Sequence, residues 1–243
     1  MLDYRVKFDY HTHTSYSDGK GTIEGNVLAA IQRGLSGVAI TDHGPGHLLN
    51  GLNGRKLSDM RTEIERLRTI YSDIEIFLSV EANIISVRNC IDVEAGGIGD
   101  YDFVIAGYHY AAGNGYSAAN FIHNYSPVNL PGRGALKRRN TDMAVRAIYE
   151  NRIKILTHPG DKGPFDIVEM AKACADRGTW LEINDKHVSL TCGDIRQTAK
   201  TGVKFVVSSD AHTPDRVGVC SRSVKAALEA GIDPEMIVNI EVL

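Results

Sequence analysis

The segment Tyr10-His11-Thr12-His13-Thr14-Ser15-Tyr16-Ser17-Asp18-Gly19 sets two histidines one residue apart, with an aspartate shortly after them. At the end of a strand, residues i and i+2 face the same side. His11 and His13 can therefore grip one cation while Asp18 returns on the following loop. Imidazole and carboxylate together suit zinc, iron or manganese. A lone His-x-His is as readily two solvated histidines, so the rest of the chain has to decide.

Short apolar runs elsewhere end the same way. Gly37–Thr41 leads to Asp42-His43-Gly44, Ile74–Val80 to Glu81, and Asp102–Gly107 to Tyr108-His109. Ile153–Thr157 leads to His158-Pro159-Gly160, Thr179–Ile183 to Asn184-Asp185, and Val203–Val207 to Ser208-Ser209-Asp210-Ala211-His212. With the opening run at Val6 and Phe8, this predicts seven strands. Helical stripes lie between them: Ile23 to Ile31 behind an N-cap at Thr22, Met60 to Ile70, Thr141 to Glu150, Ile167 to Asp176, Ile195 to Lys200 and Val224 to Ala230. Residues 111–140, rich in Gly, Asn, Ser and Pro, read as one long irregular loop, and 237–243 fits strand or helix equally.

Strands alternating with helices mean a parallel sheet. Seven such units, with no GxGxxG turn after the first, favour an α/β fold of the closed kind. The expectation is a closed or nearly closed barrel in one domain spanning 1–243, with a doubly wound open sheet as the alternative. Barrel strands converge at their carboxyl ends, where active sites are built. Any one of these histidines alone would be explained by a backbone partner in the core. The set His11, His13, Asp18, His43, Glu81, His109, His158, Asp210 and His212, delivered to one rim, points to metal. An open catalytic site takes three or four protein ligands, so nine fit two or three ions. Closely spaced metals clamp the attacking and leaving oxygens of a displacement at phosphorus, which makes phosphate-ester hydrolysis the expected reaction.

Composition agrees with a soluble enzyme. Hydrophobic residues make up 43% and charged residues 23% of 243, enough for a substantial core. A formal net charge of −3 gives no footprint for nucleic acid, and Lys137-Arg138-Arg139 is only a local cluster. No apolar stretch approaches the roughly 20 residues of a membrane span. Residues 1–5 lack the apolar core of a signal peptide, and Cys90, Cys174, Cys192 and Cys220 form no CxxC pair, so a reducing, cytoplasmic setting is expected.

His11-Thr12-His13 with Ser17-Asp18, Ile40-Thr41-Asp42-His43-Gly44, Val80-Glu81-Ala82-Asn83, Gly107-Tyr108-His109, Thr157-His158-Pro159-Gly160, Leu181-Glu182-Ile183-Asn184 and Ser209-Asp210-Ala211-His212-Thr213 together resemble the PHP family, named for polymerase and histidinol phosphatase, and within it the stand-alone YcdX-like phosphatase branch. The match runs from about Phe8 to Gly218. The resemblance implies a distorted seven-stranded (β/α)7 TIM-like barrel with a trinuclear site of three divalent ions at the C-terminal rim of the strands, zinc first, with manganese or iron as alternatives. His11, His13, Glu81 and Asp210 would hold one ion, Glu81, His109 and His158 a second, and Asp18, His43 and His212 the third. A metal-bridging hydroxide held by Glu81, His11, His13 and Asp210 would attack a small phosphomonoester. Histidinol-phosphate phosphatase, a phosphodiesterase or nucleotidase, and a non-catalytic PHP module of a larger assembly are the alternatives, the last disfavoured because every ligand position is filled.

For substrate contact the candidates are Arg216, Asn184 and Arg138, each set against a plain surface or turn role. His47 is a candidate general acid and Asp42 a candidate orienter of a ligand. His123 and His187 read as solvent-facing. This chain departs from the YcdX-like pattern in two places: the stretch between His109 and the fifth strand is longer, which bears on specificity, and the C-terminal end is short, which bears on packing.

Overall fold

A computed structural model describes residues 4–113, 116–126, 128 and 130–243. In chain order its elements are β1 (Tyr4–Val6), β2 (Phe8–Asp9), α1 (Ile23–Gln32), β3 (Gly37–Ile40), α2 (Gly54–Ile70), β4 (Glu75–Asn83), β5 (Phe103–Gly107), α3 (Ser117–Tyr125), α4 (Arg133–Glu150), β6 (Ile153–Leu156), α5 (Ile167–Arg177), β7 (Trp180–Asn184), α6 (Cys192–Ala199), β8 (Phe205–Ser208), α7 (Ser221–Ala230) and β9 (Ile240–Val242). The strands β2-β3-β4-β5-β6-β7-β8 form one parallel sheet in sequence order, curled into a nearly closed barrel. Local chemistry sets the helix ends. Thr22 accepts the Gly25 N–H at the start of α1, Thr191 and Asp194 cap α6 reciprocally, and Gly178 ends α5 in the left-handed region.

Alternation along the strands explains how a polar cluster can sit on an apolar barrel. Phe77, Ser79 and Glu81 share one face of β4, and Trp180, Glu182 and Asn184 share one face of β7. Low in the barrel the rings of Tyr10, Phe77, Phe103 and Trp180 pack together, next to Ile105, Ile155 and Val206. Further along the same inward faces come carboxylates: Glu182 two residues beyond Trp180, and Glu81 four beyond Phe77. The outward faces (Val38, Ile40, Leu78, Val80, Leu181, Ile183) pack against the helices in the main core.

The barrel has one weak seam, between β2 and β8. Among the described residues the strand-type bridge across it is Thr12–Ala211, where the His13 N–H donates to the Ala211 carbonyl at 2.8 Å and the Ala211 N–H to the His11 carbonyl at 3.3 Å. Side chains do the rest. Asn239 donates from Nδ2 to the carbonyls of Phe8 and Val207 (2.7 Å each) and accepts the Val207 N–H at 3.0 Å. The buried Asp9 carboxylate accepts from the Ser209 hydroxyl and backbone and from the Gly218 N–H. β1 and β9 pair antiparallel beside this seam, so the end of the chain that fitted either state is a strand.

The largest correction concerns 111–140. It is not one irregular loop: it contains α3, and α4 begins eight residues before the predicted start at Thr141. The core-facing pattern hid both helices. The large apolar residues of α3, Phe121, Ile122 and Tyr125, face outward, and its buried position is Asn120. In the first two turns of α4, Leu136 and Asn140 are the buried positions. Asn120 and Asn140 pair through their amides (2.7 and 3.1 Å), a buried polar anchor where an apolar stripe is the usual signal.

If the Asn239 amide closes the seam, Asn239→Ala should lower unfolding stability by about 2–3 kcal/mol, since it strands buried carbonyl and N–H partners. The check is a fall in the denaturant midpoint with an unchanged slope.

Candidate metal centre

All nine predicted ligand positions meet at the carboxyl rim of the barrel. Glu81, at the end of β4, is 1% exposed and lies within reach of five imidazoles. Its Oε1 stands 3.4 Å from His11 Nε2, 3.4 Å from His109 Nε2 and 2.8 Å from His158 Nε2. Its Oε2 stands 3.5 Å from His13 Nε2 and 3.2 Å from His43 Nδ1. Asp210 Oδ1 lies 3.6 Å from His13 Nε2 and 3.3 Å from His212 Nδ1, and Asp18 Oδ2 lies 3.4 and 3.2 Å from the Nε2 atoms of His43 and His212. Among the described residues, three overlapping groups could each hold a cation: His13, Asp18, His43 and His212; His11, His13 and Asp210; and His43, Glu81 and His109. His158 falls outside these groups but touches Glu81.

The donor chemistry fits a cation. His11 Nε2 and His13 Nε2 approach to 3.1 Å, both directed at the carboxylates of Glu81 and Asp210. His43 Nδ1 is buried without a hydrogen bond of acceptable geometry, although Glu81 Oε2 is 3.2 Å away. Once a cation displaces the ring proton, a nitrogen placed this way is suited to a metal. Protonation is correspondingly uneven. Burial drives His13 well below its ordinary value, with His43 and His212 adding to the effect, and drives His109 down to about 3. Burial also opposes charge on His43, but Asp18 and Glu81 outweigh it and lift the group to about 10. Burial would raise Glu81, yet His109 and His11 hold it well below the carboxylate range.

Outer partners fix the rings. Glu182, two residues along the same face of β7 from Trp180, accepts at 2.8 Å from His11 Nδ1. Asn83 Oδ1 meets His109 Nδ1 at 2.8 Å, and Asp92 holds Asn83 from below. Asp42 touches no ligand ring by hydrogen bond. It takes the Thr14 N–H and hydroxyl and the Ser17 hydroxyl, which braces the loop carrying Asp18. Two ligand positions, His158 and Asp210, adopt positive φ (27° and 51°), a conformation a side-chain-bearing residue keeps only where its surroundings impose it.

The cluster floors a cleft of about 340 Å³, lined also by His47, Tyr110, Ala111, Lys162, Lys186 and His187. A larger cavity of about 620 Å³ lies beyond the 44–52 loop and holds none of the nine ligand positions, so size does not locate the chemistry. His47 stacks on His43 with ring centres 4.4 Å apart. Arg216 is committed to Asp185 at 3.1 Å, Arg138 is exposed on α4, and neither lines the cleft. Asn184 is fully engaged: it donates to Glu182 and Asp210 and accepts the backbone N–H groups of Lys186 and His187. His123 lies on α3, with its carbonyl accepting from Arg133.

His187 corrects the solvent-facing reading. It enters the cleft with Nδ1 3.2 Å from Asp161 and Nε2 3.7 Å from Asp210. Lys186 Nζ sits 3.5 Å from Asp210 Oδ1 and about 3 Å from the His212 ring. Their place after a strand end, like that of the candidate ligand histidines, was visible in the sequence; their inward turn was not, because Asn184 Oδ1 sets it by accepting both of their N–H groups.

Comparison with known proteins places this arrangement. A family model described as PHP domain matches residues 9–186. A probable phosphatase of Thermoanaerobacter sp. (strain X514) is 28% identical over 248 residues, 98% of this chain and 92% of its own length. A probable phosphatase of Shewanella sp. (strain ANA-3) is 30% identical over 231 residues, covering 89% of this chain and 80% of the relative. Among solved structures, histidinol phosphate phosphatase from Lactococcus lactis, complexed with zinc, L-histidinol and phosphate, shares the fold with a TM-score of 0.64 at 18% identity, over 93% of this chain and 94% of its own.

Gly107 sits beneath the cluster, where a Cβ would clash with Thr157 Oγ1 and meet His158 Cε1 at 2.7 Å and Glu81 Oε1 at 3.1 Å. Gly107→Ala should therefore displace Glu81 and His158 and weaken metal binding by roughly ten- to a hundredfold while the far-ultraviolet spectrum stays that of the folded barrel. Metal titration of the purified variant checks it.

Proposed function

We propose, from the premise that this chain belongs to the PHP domain family and is a metal-dependent phosphatase, that one barrel domain hydrolyses a small phosphomonoester at a three-metal site. The observation that carries this reading is Glu81: one buried carboxylate whose two oxygens serve five histidines joins the candidate groups into a single polynuclear cluster. His11, His13, Glu81 and Asp210 would hold one ion, Glu81, His109 and His158 the second, and Asp18, His43 and His212 the third. Three divalent cations held there, zinc first with manganese or iron as alternatives, would supply a hydroxide near neutral pH and would offset charge developing on phosphoryl oxygens.

The chain's own residues do the rest. Lys186, over Asp210 and His212, meets a phosphate oxygen, and Asn184 holds the turn that presents it. His187, steadied by Asp161, lies where it can hand a proton to the departing oxygen. The cleft volume suits a small ester, and its acidic and imidazole lining offers no track for a nucleic-acid backbone. Among the described residues no helix is long and apolar enough to cross a membrane.

Phosphate release by metal-replete protein should be assayed on 4-nitrophenyl phosphate, bis(4-nitrophenyl) phosphate, histidinol phosphate and nucleotides, with a chelated control. Chelator-sensitive turnover of monoesters is expected. Glu81→Ala should lower kcat by about a thousandfold or more, and Lys186→Ala should raise KM with a loss of roughly ten- to a hundredfold in kcat/KM. Wild-type rates in Glu81→Ala at matched metal content would overturn the assignment.

A further inference from the structure

The lining of the cleft is chemically lopsided. Apart from Tyr110 and Ala111, every residue along it is His, Asp, Glu or Lys. The phosphoryl end of an ester has many partners there, but an apolar portion has one wall to lie on. That wall continues outward. The Tyr110 ring meets Phe121 edge-on at 5.6 Å and lies 6.3 Å from Tyr125, and Phe121 and Tyr125, one helical turn apart on α3, lie 4.7 Å from each other.

We infer that Tyr110, Phe121 and Tyr125 form a stacking platform for the leaving group, and that the natural substrates are phosphomonoesters whose alcohol carries a planar aromatic ring. The inference rests on the phosphatase reading and deepens it. Phe121 is 53% exposed and Tyr125 68% exposed, so neither ring is consumed by the core. Single exposed apolar residues are ordinary, but three touching rings that begin inside a reactive cleft are a patch of the kind that binds.

Nor is α3 a loose appendage that shows its rings by accident. Asn120 is bonded to the Tyr108 hydroxyl and to Asn140, the Ser117 hydroxyl donates to the Ala112 carbonyl, and Arg133 donates to the His123 carbonyl. Asn124 donates to the Tyr110 hydroxyl at 2.7 Å and to the Asp161 carbonyl, locking the platform to the loop that positions His187. Polar contacts hold the helix in place, and among the described residues its Phe121 and Tyr125 rings stay exposed. Aromatic rings favour offset or edge contacts with other rings over contact with a compact polar chain.

The test compares 2-phenylethyl phosphate with ethyl phosphate, whose leaving groups are both primary alcohols. Wild type should prefer the aryl ester in kcat/KM. Phe121→Ala and Tyr125→Ala should each lower that preference by about three- to tenfold, through KM, with Phe121→Leu falling less than Phe121→Ala because it keeps apolar area without the ring. An equal fall for both esters, or none, would overturn the platform. If wild type turns over neither ester, the phosphatase reading fails separately, and calorimetry decides the platform: 2-phenylethylphosphonate binding no tighter than ethylphosphonate to metal-replete protein would sink it. A dimer in sedimentation that Tyr125→Ala dissociates would also overturn it, by giving the patch to a second copy.

Discussion

A carboxylate at 1% exposure with five imidazoles around it is the constraint from which the rest of the structure can be read. Water cannot solvate Glu81, so its charge must be balanced by groups fixed within hydrogen-bond range. No single loop can supply them. His11 and His13 come from the end of β2, His43 from β3, His109 from β5 and His158 from β6, and only a closed sheet brings those ends within a few ångströms of one point. The barrel is in this sense a device for crowding ionisable groups, and the aromatic plug below them keeps water from relieving the crowding from underneath.

Crowding alone would leave the rings free to turn away. A web of fixed acceptors prevents it, and each strand of that web ends in backbone. Glu182 on β7 holds His11 and accepts the His158 N–H, so one carboxylate sets two candidate ligands that follow different strands, β2 and β6. Asp92 accepts the N–H groups of Asn83 and Gly46, which ties the His109 partner to the loop after His43. At the seam the same logic runs through Asp9 and Asn239, where side chains substitute for the missing strand ladder beside His11 and Asp210. The acids of this protein thus divide by depth: those at the cluster present charge, and those behind it carry position.

How much of this could be read in the sequence depended on whether a residue's job left a periodic mark. Barrel strands did, because apolar runs such as Gly37–Ile40 and Phe103–Gly107 are buried on both faces, and the residue after each run could only be at the rim. α3 and the first half of α4 did not, since their inward positions are Asn120, Leu136 and Asn140 and the large apolar residues of α3 point out. Lys186 and His187 escaped for a different reason. Their place after β7 was visible, but what turns them inward is Asn184 Oδ1 accepting both of their N–H groups, a local bond that no spacing rule encodes. Arg216 and Arg138 were drawn in by charge alone, and charge does not say which way a side chain points.

The backbone at His158 and Asp210 completes the picture. Positive φ at a histidine and at an aspartate costs energy in isolation, on the order of 1–3 kcal/mol each. Both lie one turn past a strand end, where an ordinary β conformation would carry the side chain on along the barrel wall. The reversal instead sends both side chains back over Glu81 and His13. The N–H of His158 is held by Glu182, and Asp210 is gripped by Asn184, so the strained geometry is imposed by the same acids and amides that orient the neighbouring ligands. Strain, burial and charge balance therefore converge on one set of atoms. A cation bound among them would relieve the electrostatic part of that tension without moving the scaffold, which is the sense in which the fold is organised ahead of its chemistry.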